Sequence, residues 1–286
     1  MSRRSISSGR FWRWEAGAIR SSRSGIPLSD RGFRYGQHVF ESIAVRGGRV
    51  LLGTEHLRLL AAAARRHRIP CPSGLLAALD TFLDTASLAD GMLRIYLTAG
   101  PGTPGGEVVS PGCYLSWEAS PFPSERDLEK GYALKLVEKT VAGAGWHEKS
   151  GNYAVHLEAF REARKSGCDE GIVCDDRGRV VSCAMGNLLV WLPCREKVGG
   201  IVLLTPSGES EARAGAVLGW VKRSARAAAA DLQGSDLRRA AALAVTNSRI
   251  GVMPVASLDG RKLPRPDLAL RLARRYLSRH GLSGTP

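Results

Sequence analysis

Several chemistries are excluded by what this chain lacks. Its six cysteines, at 71, 113, 168, 174, 183 and 194, form no C-x-x-C pair. No Cys/His cluster has zinc spacing, so a structural zinc site is not expected and the cysteines read as free thiols of a reducing compartment. No uninterrupted apolar run is long enough to span a bilayer. The start, MSRRSISSGRFWRW, is basic but lacks the apolar core of a signal peptide, so a cytoplasmic protein with no membrane partner is expected. Acidic residues are scarce, 27 against 41 Lys+Arg, which leaves a net charge of +14. The basic residues are spread along the chain without an aromatic-interleaved nucleic-acid motif. That distribution argues against a nucleic-acid partner and fits an anionic small-molecule substrate. No internal repeat is present.

What remains is an ordinary globular composition, 44% hydrophobic and 24% charged over 286 residues. That length suits one large or two modest domains. Residues 38–52, HVFESIAVRGGRVLL, alternate around Gly47-Gly48 and predict a hairpin. EHLRLLAAAARRHRI and SGLLAALDTFLDTAS carry helical spacing. GMLRIYLTAG and GCYLSWEA read as strands. Residues 121–131, PFPSERDLEKG, are polar and proline-containing and predict a linker between residues 1–120, with 1–25 a frayed start, and 132–286. Beyond it, YALKLVEK reads as a strand and NYAVHLEAFREARKSG as a helix with Tyr153, Leu157 and Phe160 on its apolar face. GIVCDDRGRVV predicts a hairpin turning at 175–178, LLVWL, IVLLTP and LAVTNS predict strands, and GAVLGWVKRSARAAAADL and DLALRLARRYLSRHG predict helices. Mixed strands and helices with hairpins in both halves predict an α+β, two-domain architecture.

Four segments carry chemistry together: LSDRGFRYGQHVFES (28–42), EHLRL (55–59), HEKSGNY (147–153) and VTNSRIGVMPV (245–255). In this order and at these separations they resemble the class IV, fold-type IV, pyridoxal-phosphate (PLP) enzymes. That group includes branched-chain and D-amino-acid aminotransferases and aminodeoxychorismate lyases. The K-S-x-N-Y and T-N-S-x-x-G-V-M-P-V stretches are most similar to aminodeoxychorismate lyase, which eliminates pyruvate from 4-amino-4-deoxychorismate to give p-aminobenzoate for folate biosynthesis.

The resemblance implies a two-domain fold with the active site at the domain interface, PLP as cofactor and a homodimer. It makes Lys149, in the C-terminal half, the Schiff-base lysine and proton carrier, chemistry that a partly buried free amine can do. Arg58 would bind the cofactor phosphate as a fork of fixed donors. Thr246, Asn247 and Ser248 would add donors, and Gly215-Ala216 would offer a helix N-terminus. Tyr35, His38, Phe40 and Arg94 would line the substrate pocket.

The sequence also departs from the family pattern. The family's glutamate at the pyridine nitrogen, in G-x-V-x-E-x-x-x-x-N, is Ser182 in GRVVSCAMGN, although Asn187 is kept. That glutamate keeps the ring protonated and electron-withdrawing, and serine cannot. The loss weighs most on transamination, so Ser182 favours a lyase. Gln37 and His38 replace Asp and Gly of YGDGVFET. Val217 and Leu218 replace Thr and Arg of the phosphate loop, and TAGPGTPGGE (98–107), with Ala99, lacks the substrate-facing arginines. Arg34, Arg94 and His38 are candidates to replace those cations. The readings are therefore a lyase, then a repurposed fold without PLP chemistry, then a branched-chain or D-amino-acid transaminase.

Overall fold

In this computed structural model residues 10–21, 25–86, 88–140, 149–194, 200–207 and 213–282 are described. They form two compact units. The first holds the residues up to Pro121 together with 149–152, and the second holds the rest.

In the first unit the order is β1 (Arg10–Glu15), β2 (Ala18–Ser21), α1 (Arg31–Tyr35), β3 (His38–Arg46), β4 (Arg49–Val50), α2 (Gly53–Arg66), α3 (Leu75–Ala86), β5 (Gly91–Thr98) and β6 (Gly112–Ala119). The strands make one antiparallel sheet, ordered β2-β1-β6-β5-β3-β4. The β3–β4 hairpin turns at Gly47-Gly48, both at positive φ, as expected from the sequence. Along β3, Val39, Ile43 and Val45 are fully buried, and they share a core with Leu60 of α2, Leu79 and Phe82 of α3 and Ile95 of β5. Trp12 of β1 meets the Phe82 ring edge-on at 4.8 Å. Residues 10–21, expected to fray, are instead a hairpin. Trp12 anchors it to the core, and β1 pairs with β6. Residues 1–9 and 22–24 of that expectation lie outside the described residues.

In the second unit the order is α4 (Glu125–Lys130), β7 (Tyr132–Thr140), α5 (Ala154–Lys165), β8 (Glu170–Cys174), β9 (Val180–Cys183), β10 (Asn187–Pro193), β11 (Ile201–Pro206), α6 (Ala216–Ala225), β12 (Ala228–Ala230), α7 (Gly234–Arg239), β13 (Ala242–Asn247), β14 (Gly251–Leu258), β15 (Arg261–Lys262) and α8 (Pro266–Arg279). Its mixed sheet runs β12-β11-β10-β13-β14-β7-β8-β9, with β15 on β14. The pairs β11–β12, β14–β7 and β7–β8 are parallel.

Three sequence expectations change here. Residues 125–130, inside the expected linker, form α4. Ser124 and Asp127 close a capping box on it, which satisfies its first donors. In α5 the buried face is His156, Ala159 and Ala163, whereas Leu157 is exposed. The close α5–β8 packing, where Gly171 lies against Ala159 and Ala163, admits only small residues on that face. The predicted helix through 216–232 stops at Ala225, where Arg226 adopts a left-handed φ of 54°. The following alanines then pair with β11 as an edge strand, because backbone pairing outweighs alanine's helical preference.

Candidate active site

The centre of the first unit is a buried carboxylate that neither the motifs nor the spacing singled out. Glu41 lies on the face of β3 that carries Val39, Ile43 and Val45, and is 6% exposed. Its Oε2 accepts from Lys149 Nζ at 3.0 Å and from His56 Nδ1 at 2.8 Å. Burial alone would raise the Glu41 pKa. The Lys149 charge and the two hydrogen bonds more than reverse this and hold it at about 2, below its ordinary 4.5. Glu41 is therefore an anion, and it fixes the Lys149 amine in one place. The available signal was a charged residue on the apolar face of a strand, in register with a histidine one turn into the next helix.

Lys149 was expected in the C-terminal half, yet residues 149–152 pack with the first unit. Backbone bonds explain this. Phe40 N–H donates to the Lys149 carbonyl at 2.9 Å, and Gly151 N–H donates to the His38 carbonyl at 3.2 Å. Val39 and Ser150 form an antiparallel bridge. Gly151 permits the approach, since a Cβ there would lie 2.2 Å from the Gly36 carbonyl oxygen.

The expected pocket residues distribute as follows. Phe40 stacks on Tyr96 at 5.6 Å, and His38 lies 6.4 Å from both rings, so these three form an aromatic cluster. The His38 Nδ1 bonds the Gly32 carbonyl at 3.0 Å. Arg94 pairs with Glu118 at 2.8 Å. Tyr35 is exposed under the Arg34 guanidinium, 5.0 Å from its ring. Arg58, on α2, is exposed and has no hydrogen-bond or ion-pair partner among the described residues.

The loop after β5, read as stripped of arginines, is held by one from elsewhere. Arg31 is fully buried and donates to the carbonyls of Ala99, Gly100, Thr103, Gly106 and Glu107. Its fork replaces regular structure as the partner of those acceptors.

In the second unit Asn187 pairs with Thr246 across β10 and β13. Its Nδ2 donates to the Arg213 carbonyl, which holds the segment leading into α6. Gly215 caps α6 without any side-chain acceptor, and Ala216, Val217 and Leu218 follow, all buried. Thr246 is fully buried, and its Oγ1 has no partner among the described residues. A helix N-terminus without a side-chain cap and a buried hydroxyl without a partner among the described residues offer donors without an acceptor. They suit an oxyanion such as a phosphate. Asn247 instead ties the corner. Its Oδ1 accepts from Arg249 and Ile250 N–H, and its Nδ2 donates to the Met185 carbonyl. Ser248 is half-buried beside it.

Ser182, on β9, is 1% exposed, and its Oγ donates to the Cys183 carbonyl at 2.8 Å. At the start of β8, Glu170 accepts from Gly171 and Met185 N–H. Burial pushes the Glu170 carboxyl up to about 7. Burial and the Arg213 charge push His156 down to about 4, so its ring is neutral near pH 7. Among the described residues no group of three potential ligands could hold a metal, and no helix is long and apolar enough to cross a membrane. All six cysteines are free.

Comparison with known proteins places this arrangement. Residues 38–258 match the family model of the amino-transferase class IV proteins. A putative branched-chain-amino-acid aminotransferase of Methanocaldococcus jannaschii is 27% identical over 247 residues, 82% of this chain and 83% of that protein. A bifunctional aminodeoxychorismate lyase / D-amino acid transaminase of Mycobacterium tuberculosis is 27% identical over 271 residues, 86% of this chain and 91% of that one. The crystal structure of 4-amino-4-deoxychorismate lyase from Pseudomonas aeruginosa superposes with a TM-score of 0.80 at 27% identity, covering 93% of this chain and 98% of that one. The fold is that of the fold-type IV PLP enzymes, and the chain belongs to the class IV aminotransferase family.

Proposed function

We propose that this protein is a PLP-dependent lyase of the aminodeoxychorismate lyase type. The observation that carries the reading is Lys149, whose amine is held 3.0 Å from a buried carboxylate that is itself fixed by His56. Each unit carries groups suited to PLP: in the first, the Lys149 amine and Arg58, a cation without a partner among the described residues; in the second, Thr246 Oγ1 and the α6 N-terminus, donors suited to a phosphate. When bound, the cofactor supplies a carbonyl that holds an amine covalently and a ring that accepts electron density. Lys149 Nζ takes the proton from the amino-bearing carbon of the substrate. The C–O bond on the adjacent carbon breaks, and the enolpyruvyl group leaves and gains a proton to become pyruvate. Glu41 is a positioning residue that sets the direction of Nζ. The aromatic cluster of His38, Phe40 and Tyr96 gives a flat apolar surface suited to a cyclic substrate.

Ser182 favours elimination over transamination, because its hydroxyl is committed to the Cys183 carbonyl and brings no negative charge. The same serine, with Val217 and Leu218 buried in the α6 loop, supports a second reading, a family fold that works without PLP. The deciding experiment is the visible spectrum of the purified protein with added PLP, then borohydride reduction and peptide mass mapping. A pyridoxyl adduct on Lys149, with pyruvate and p-aminobenzoate formed from 4-amino-4-deoxychorismate, supports the lyase. An adduct with exchange between an amino acid and a keto acid, and no pyruvate release, supports a transaminase. Absence of any adduct supports the second reading.

A further inference from the structure

The second unit carries two hollows that lie outside every motif named above, and both run along α8. Leu268, Arg271, Arg275 and Ser278 recur at helical spacing beside the buried stripe of Ala269, Leu272, Ala273 and Tyr276, so they form one line along that helix. The start of this line borders a hollow of about 420 Å³. Trp191 of β10 pairs with Leu203 of β11, so these two and Ile201 share one sheet face, and with Leu268 and Leu272 they make the apolar wall. Arg226, Arg271 and Arg275 line the same hollow. Further along α8, a second hollow of about 310 Å³ is lined by Trp220 and Ser224 of α6 and by Arg275, Ser278 and Arg279. Arg275 borders both, so the groove passes there from an apolar half to a polar half.

Its cations lack counter-ions. Around α8, Arg265 and Arg271 share Asp267, and Arg274 pairs with Glu125 and Glu129. Arg226, Arg275 and Arg279 have no hydrogen-bond or ion-pair partner among the described residues, and among the same residues no acidic side chain lines either hollow. Arg226 ends α6 at a left-handed φ of 54°, a conformation that glycine takes without cost, and an arginine stands there instead. The apolar wall favours a hydrocarbon body, and the forked guanidinium groups with two hydroxyls favour an oxyanion. A membrane surface is the poorer match, because the apolar side chains are recessed. Trp191 and Leu272 are each 7% exposed, and none of the exposed large hydrophobic residues lines either hollow.

We propose that this groove binds a small amphipathic anion, an apolar body carrying one terminal oxyanion, with the body against Trp191, Leu203 and Leu268 and the oxyanion between Arg275 and Arg279. None of the lining residues is among those assigned to PLP, so the proposal does not rest on that reading.

The test is calorimetric titration of the full chain with octyl phosphate below its micelle concentration, with inorganic phosphate and with octanol. Octyl phosphate should bind one per chain, at least about tenfold tighter than inorganic phosphate or octanol, because only it fills both halves. Arg275→Met keeps the apolar stem and removes the charge, and it should weaken octyl phosphate at least about tenfold. Arg274→Met, on the same helix but outside the groove, should leave binding unchanged. Arg279→Met, expected to weaken binding in the same way, serves if Arg275→Met fails to fold. Hydrogen exchange should slow over 201–206 and 268–279 when octyl phosphate is bound. Equal affinity for octyl phosphate and inorganic phosphate overturns the proposal, since the groove would then be a patch of charge alone. Octyl phosphate binding that ignores Arg275→Met and Arg279→Met overturns it by placing the ligand elsewhere. Binding to phosphatidic acid vesicles without binding of free octyl phosphate overturns it in favour of a lipid surface.

Discussion

Replacing Glu41 by glutamine keeps the shape of the side chain and removes its charge, leaving Lys149 Nζ and His56 Nδ1 facing a neutral amide. A carboxyl held at about 2 instead of 4.5 in the folded state contributes about 3 kcal/mol to stability near neutral pH. Because the folded-state pKa is lowered, the contribution is complete above 4.5 and fades as pH falls towards 2. Glu41→Gln should therefore unfold in urea with about 3 kcal/mol less stability at pH 7, in line with breaking a buried pair. At pH 3 the gap to the wild type should close to about 1 kcal/mol as the wild-type carboxylate takes up its proton in the unfolded chain. The assay is urea denaturation at several pH values between 7 and 3, followed by circular dichroism. A gap that stays constant over this range, or a variant as stable as the wild type at pH 7, would refute the ion-pair account of Glu41. Since Glu41 holds the Lys149 amine, the variant should also trap a smaller fraction of PLP on Lys149 at equal cofactor concentration.

Gly151→Ala should push residues 149–151 off β3, because the new Cβ meets the Gly36 backbone at 2.2–2.6 Å. The expected cost is about 1–3 kcal/mol together with loss of the Lys149 adduct, both read on the purified variant. Arg31→Lys cannot satisfy the carbonyls of 99–107 with its single ammonium. It should cost at least about 3 kcal/mol and make that loop a new site of limited proteolysis, checked by mass spectrometry of the fragments. Glu170 has the opposite sign to Glu41. Its pKa is raised to about 7, so the folded state gives up about 3 kcal/mol between pH 4.5 and 7, and Glu170→Gln should remove that slope from the stability profile. Thiol labelling of the native protein should modify the exposed Cys71 first. It should leave Cys183 and Cys113 protected until unfolding, since burial raises both thiols, Cys113 to about 12.

Local chemistry made much of this protein legible. Alternation around Gly47-Gly48 determined the β3–β4 hairpin, and helical spacing in 53–66 and 266–279 determined α2 and α8, because period and turn residues are read within a few neighbours. The order of four short motifs determined the family. Other features depended on residues distant in the chain. The alanines at 228–230 became a strand because β11 offered them an edge, and residues 10–21 became ordered because Trp12 found Phe82. The same holds for the site. Lys149 is recognisable from its motif, but its counter-ion is 108 positions earlier and the histidine that steadies that counter-ion is on another helix. Motif and period are properties of neighbouring residues, so sequence alone specifies them. Desolvation and pairing depend on what the folded chain places around a group, so only the tertiary structure decides which charges act.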